Sequence, residues 1–199
     1  NNNCKLLLLL AIFCQSCSQS IVMNTVIPEP LVAKIENFNL AITYDDNMRN
    51  YKFDNTNSES VESTIKIDFS SSQVNLFNKI LSSFFPGYIE LPSNNNDIHP
   101  DIDFYMEPKL DAFELMSPTE SGNDKYAVWL KYKIGLYDNK KILLSSWNIT
   151  GYGEHATGSR VNESLTTAVE LALRDVGVNL VIKIEDDFDK LKNIIGTDL

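Results

Sequence analysis

Two stretches of the chain carry residue types that could do chemistry. The first is Asp97-Ile-His99-Pro-Asp101-Ile-Asp103. Alternate residues of an extended chain point to one side, so Asp97, His99, Asp101 and Asp103 could converge on a divalent cation through carboxylate oxygens and an imidazole nitrogen. The favoured reading is blander: a solvated acidic loop entering a strand, with Ile98 and Ile102 turned inward. No metal and no cofactor is therefore expected. The second stretch is Gly151-Tyr-Gly153-Glu-His155-Ala156, which fits the loose dinucleotide pattern G-x-G-x-x-A. That pattern works where backbone approaches a pyrophosphate at a helix N-terminus inside a βαβ unit. Here the preceding strand closes an antiparallel hairpin and no strand follows the helix. A strand-to-helix loop with glycine turns is the expectation. Glu154 and His155 lie in that loop, with Ser159 and Arg160 nearby. A Ser/His/acid hydrolase would need such groups to converge in space, and no G-x-S-x-G elbow is present. No catalytic residue is assigned.

The cysteines point elsewhere. Cys4, Cys14 and Cys17 are the three in the chain, so residues 18–199 can form neither a disulfide nor a thiolate metal site. Lys5, the apolar block Leu6 to Phe13, and then Cys14-Gln-Ser16-Cys17 have the order of a secretory signal: a positive start, a short apolar core and a small residue before a cut. The apolar run is well short of the ~20 residues needed to span a bilayer. Cleavage between Ser16 and Cys17 would leave a cysteine as first residue; ordinary cleavage near Ser18 with release of a soluble protein is the rival. The formal net charge is −10, and loss of Lys5 with the leader makes it more negative still. Such a chain repels phosphate backbones and anionic lipid surfaces, so nucleic acid is excluded as a general partner.

The elements that must position these residues follow from hydrophobic periodicity. Residues 17–30, with Pro28 and Pro30, read as a new N-terminus and a tether. Alternation over Phe38–Tyr44 and Ile65–Phe69 predicts strands, with a short strand at Tyr51–Phe53 between them. Val74, Phe77, Ile80, Leu81 and Phe84 predict a helix ended by Pro86-Gly87. Residues 102–116 are extended, with Pro108 at an edge or bulge. Tyr126, Val128, Leu130, Tyr132, Ile134 and Leu136 form one face of the next strand. A two-residue turn at Asn139-Lys140 then pairs Leu136 with Leu143, Tyr132 with Trp147 and Leu130 with Ile149. A helix from about Val161 carries the stripe Leu165, Ala168, Val169, Ala172, Val176, with Glu170 and Arg174 as an i,i+4 ion pair. Residues 187–199 read as a charged tail or short helix. The order β-β-α-β-β-β-α predicts a single α+β domain over 31–186. Its antiparallel sheet has about four to six strands, with two main helices on one face. Trp129, Tyr137, Ile142 and Leu144 fall on the other face around Gly135. They form a partner or ligand patch if that face is open. Coverage by residues 31–55 is the favoured alternative.

Ser16-Cys17 behind the apolar block resembles the lipobox of bacterial lipoproteins, with Cys14 where a leucine is usual. In that resemblance Cys17 is the lipid attachment site, carrying acyl chains such as palmitate. Ser18, in place of the aspartate that retains such proteins at the inner membrane, implies the outer membrane, facing the periplasm. The element order over roughly 60–185 resembles the small outer-membrane lipoproteins of the YajG type. The matching pieces are Ile65-Lys-Ile67 before the first helix, Ile102–Phe113 after it, Trp147-Asn-Ile-Thr-Gly151 closing the hairpin, and the helix near Asn162. It is also similar to periplasmic lipoproteins that assist lipopolysaccharide assembly or activate cell-wall synthases. The implied function is a lipid-anchored, non-catalytic binding or assembly factor, held to the membrane by its acyl chains and working with an envelope protein partner. The alternatives are a hydrolase using the His155 loop or the Asp97–Asp103 cluster, and a carrier of a small apolar or glycan ligand.

Overall fold

The computed structural model describes residues 18–56, 64–93, 97–158 and 160–195. In chain order they form β1 (Ser18–Val22), β2 (Leu40–Thr43), α1 (Asp46–Asn50), β3 (Lys52–Asp54), β4 (Thr64–Asp68), α2 (Ser70–Phe84), β5 (Ile89–Leu91), β6 (Phe104–Met116), α3 (Pro118–Ser121), β7 (Lys125–Asp138), β8 (Leu143–Ala156) and α4 (Val161–Ile195). The fold is α+β, as the periodicity predicts. The strands divide into two sheets, however: three strands in the order β1-β4-β3 and five in the order β5-β2-β6-β7-β8. Both are mixed rather than antiparallel. β1 runs parallel to β4, and β2 runs parallel to both β5 and β6. The physical reason is the long excursion through β3, β4 and α2 before the chain returns beside β2. A crossover of that length permits parallel pairing, which a tight turn cannot make.

The stretch expected to be a tether is structured from Ser18 onward. β1 pairs along its whole length with β4, and Met23 is buried while its backbone N–H donates to the Asp68 carbonyl at 2.8 Å. A period-2 apolar pattern is too short here to announce a strand, because the parallel partner supplies what propensity does not.

The β7–β8 hairpin is the backbone of the larger sheet, and its register differs from the expected one. Ile134 pairs with Trp147 and Tyr132 with Ile149, two residues along from the predicted pairing. The Asp138 N–H donates to the Ile142 carbonyl, leaving Asn139, Lys140 and Lys141 as a three-residue loop, with Lys141 left-handed at φ 62°. The Asp138 carboxylate fastens the turn by accepting from the Lys140 and Ile142 N–H groups. A bulge then falls between the Leu136 and Tyr137 pairs. Because the slip is an even number of residues, the inner face keeps its apolar residues.

The main core lies between that inner face and helices α2 and α4, with the small sheet closing one end. Leu40, Ile42, Val128, Tyr132, Ile134 and Trp147 meet Phe77, Leu81, Leu165, Val169 and Val176 there, all buried. Pro108 sits where β6 has already outrun β2, so only β7 pairs beside it, in line with the edge expectation. α4 runs unbroken to Ile195, where a charged tail or a separate short helix was expected. Its far half is held by Phe188, which makes ring contacts with Phe38, Phe85 and Phe104 at 5.9, 5.0 and 5.5 Å between centroids. The domain therefore extends beyond residue 186.

Candidate functional site

The outer face of the five-stranded sheet does not gather Trp129, Tyr137, Ile142 and Leu144 into one patch. Trp129 and Tyr137 stand about 26 Å apart on the same strand at ~3.3 Å per residue. Tyr137 packs on a small second cluster of Ala41, Leu91, Ile102 and Tyr105, and its ring fills the space above Gly135. Ile142 is exposed at the turn, while Leu144, displaced by the bulge, packs against the main core. Of residues 31–55, Ala41 lies beside Tyr137 on this face, while Leu40, Ile42, Tyr44 and Met48 go into the main core. Trp129 instead pairs with Tyr152 across β7–β8, ring centroids 5.0 Å apart, both more than a third exposed. The Tyr152 hydroxyl donates to Glu154 at 2.6 Å, and Glu154 also accepts from Lys125 at 2.6 Å. These two donors hold the Glu154 carboxyl below its usual range, and the neighbouring Glu154 raises the Tyr152 hydroxyl. The exposed aromatic pair is thus flanked by Lys125 and Glu154.

The Asp97–Asp103 stretch is a structural staple rather than a cation site. The Asp103 carboxylate accepts from the Asn39 N–H at 2.7 Å, the Asn39 amide donates to the Asp101 carbonyl at 2.8 Å, and the His99 N–H donates to the Tyr105 hydroxyl at 2.8 Å. These bonds seat β2 beside β6. Among the described residues no three His, Cys, Asp or Glu side chains gather where they could hold a metal ion.

His155 is exposed on β8, its Nδ1 2.9 Å from the Ala156 carbonyl. It pairs across the ladder with Tyr126, and Ser159 lies outside the described residues. The expected glycine loop at 151–156 is in fact the last part of β8. Its glycines admit the helix. A Cβ on Gly151 would stand 2.3 Å from the Ala172 carbonyl oxygen, and one on Gly153 would stand 2.2 Å from that of Ala168. The free edge of β8 is then covered by α4: Asp175 accepts the Tyr152 N–H at 2.9 Å and the Asn179 amide donates to the Thr150 carbonyl at 2.8 Å. The G-x-G spacing serves close packing at an edge strand that would otherwise be open for pairing.

A concave surface that the sequence reading missed lies on the helical side. Ile27, Pro28, Glu29 and Pro30 form one wall, Leu76 and Ile80 of α2 the floor, and Arg174, Gly177, Val178, Val181 and Ile182 of α4 the other wall, around a groove of about 390 Å3. The proline wall is pinned at both ends, by Met23 to Asp68 and by the Ile35 N–H donating to the Phe84 carbonyl at 2.7 Å. Glu29 is tied to Lys79 at 3.2 Å. The expected Glu170–Arg174 ion pair does not form. Arg49 and Arg160 pair with Glu90 and Glu163, but Arg174 has no ion pair among the described residues and is one of the residues that line the groove. A sequence signal for this surface existed: Val178 and Ile182 stand one helical turn apart outside the core stripe.

Ser16 and Cys17 lie outside the described residues, immediately before β1. Among the described residues no helix is long and apolar enough to cross a membrane. No protein-family model matches the chain, and no curated protein matches it by sequence. Its fold is shared with a solved protein from Xanthomonas campestris assigned to the family DUF330, at a TM-score of 0.53 and 13% identity over 86% of this chain and 98% of that one. Looser likenesses are a hypothetical protein from Chlamydia trachomatis and a candidate lipoprotein from Caulobacter crescentus. The first has a TM-score of 0.44 and 11% identity over 77% of this chain and 96% of that one. The second has a TM-score of 0.35 and 7% identity over 48% of this chain and 68% of that one.

Proposed function

We infer that this chain is an exported lipoprotein of the bacterial envelope, anchored through acyl chains on Cys17, and that it binds other envelope components without catalysis. On this reading it resembles the small outer-membrane lipoproteins of the YajG type and faces the periplasm. The observation that carries the reading is the position of Cys17: the last of the three cysteines, directly behind a basic-then-apolar stretch and one residue before the first strand of the domain. More than one acyl chain, each worth ~0.8 kcal/mol per buried methylene, makes such an anchor stable. With β1 starting at Ser18, the anchored domain sits against the bilayer with almost no slack. The non-catalytic part rests on the candidate groups: His155 stands exposed at a strand end, and the Asp103 carboxylate and the Asp101 carbonyl are spent on holding β2. The domain's acidic surface suits a soluble or protein partner rather than an anionic membrane surface.

The anchor is tested by metabolic labelling with a fatty-acid analogue in cells expressing the full chain or its Cys17→Ser variant. Labelling of the wild type alone is expected, together with loss of the variant from the membrane fraction. Equal labelling of both, or an N-terminus that retains Leu6–Leu10 in the mature protein, overturns the reading.

A further inference from the structure

We propose that the groove between the Ile27–Pro30 wall and α4 holds the hydrocarbon chain of a fatty acid, with its carboxylate on Arg174. This assignment does not rest on acylation of Cys17. The lining is apolar on all three sides, from Ile27, Pro28 and Pro30, from Leu76 and Ile80, and from Val178, Val181 and Ile182. Its volume of about 390 Å3 falls in the range typical of small-molecule sites, ~300–1,000 Å3. The site is preformed. Backbone bonds pin the proline wall at Met23 and Ile35, and Gly177, bare of a Cβ, lets Leu76 and Ile80 close the floor at 3.0 and 3.4 Å from where that carbon would be.

Two observations choose the occupant. α4 carries apolar residues beyond those it buries: Val178 is 57% and Ile182 49% exposed, one turn apart on the groove side. A buried core stripe does not account for them, and a hydrocarbon chain lying along the helix would cover both. The charge is local and of one sign. Glu29 is neutralised by Lys79, which leaves Arg174 as the lining's unpaired ion in a chain of net charge −10. Beyond a Debye length of ~8 Å the rest of the acidic surface is screened, so an anion at the rim responds mainly to Arg174. A guanidinium takes a carboxylate through two parallel N–H donors. A single-chain carboxylic acid satisfies both demands. A second copy of this acidic protein would bring net negative charge against its own like-charged surface.

The test is a fluorescence titration of the purified full chain with cis-parinaric acid and, separately, with its methyl ester. Saturable binding of the acid is expected. Arg174→Gln is expected to raise the Kd for the acid about tenfold, the factor that ~1.4 kcal/mol of charge-assisted bonding supplies, and to leave the ester's Kd unchanged. Val178→Glu and Ile182→Glu, both at exposed positions, are each expected to abolish binding of acid and ester with the thermal midpoint unaltered. The proposal is overturned if the wild type shows no saturable binding, including the case where sedimentation finds the groove closed by a second copy. It is equally overturned if Arg174→Gln leaves the acid's Kd unchanged, or if both glutamate variants bind as the wild type does.

Discussion

At the scale of single residues, Asp101 and Asp103 fasten β2 beside β6, and the most demanding polar chemistry is buried elsewhere. Gln73 is completely buried in α2. Its amide donates to the Met48 carbonyl at 2.5 Å, and its carbonyl accepts from the Tyr132 hydroxyl at 2.9 Å. Burial pushes the Tyr132 hydroxyl far above the normal tyrosine range, so it serves as a neutral donor at any ordinary pH. Tyr132→Phe leaves the Gln73 carbonyl without that donor, and the expected loss is about 1–3 kcal/mol in urea unfolding. Helical spacing sets Gln73 on the face of Phe77, Ile80 and Phe84, but says nothing of the partners that satisfy its amide there. A second network joins α1, α2 and β5: Tyr44 donates to Asn78 at 2.5 Å, Asn78 donates to Glu90 at 2.7 Å, and Arg49 meets the same Glu90 at 2.5 Å. Neither network is legible from spacing, because its members are far apart in the chain and meet only in the fold.

At the scale of elements, the decisive contact is α4 against β8. Two glycines one strand repeat apart allow helix backbone to lie on strand backbone, and no side chain on β8 can substitute for them. Gly153→Ala places a methyl 2.2 Å from the Ala168 carbonyl oxygen. The helix must shift, and the expected destabilisation is about 3 kcal/mol. Gly122→Ala is the control. That glycine sits at φ 64° with open space around its missing Cβ, so the cost is only the left-handed strain of about 1–2 kcal/mol. Chemical denaturation of the two variants should rank them in that order. The hairpin makes a related point. The alternating faces of β7 were plain in the sequence. The three-residue loop was not, since Lys141 gives no outward sign that it will take a left-handed conformation.

At the scale of the whole molecule, two sheets share one core. Phe113, on β6 beyond the register shift between Leu110 and Ala112, stacks on Phe69 at 5.0 Å and meets Phe53 at 4.7 Å, so the larger sheet reaches over to close the smaller one. Phe113→Ala is expected to cost about 2 kcal/mol, less than a fully buried ring because Phe113 is only half-buried. Amide hydrogen exchange should then speed up in β1, β3 and β4 more than in β7 and β8. Uniform acceleration throughout would show that the sheets do not open separately. The same arrangement leaves the helical side with the groove and the sheet side with the Trp129–Tyr152 pair, two unlike surfaces on opposite faces of the larger sheet.

By itself the sequence determined the α+β class, the positions of α2 and the start of α4, the long strands β6 and β7 and the first part of β8, and the cysteines confined to an apolar N-terminal stretch. All of these are local: a 3.6- or 2-residue period, a proline-glycine stop, a composition. Only tertiary structure decided that the supposed tether is a strand, that the sheets are two and mixed, that the hairpin slips by two residues, and that Arg174 lines a groove instead of pairing with Glu170. Each of those outcomes depends on partners distant in the chain, and pairing energies between distant segments leave no periodic mark on either one.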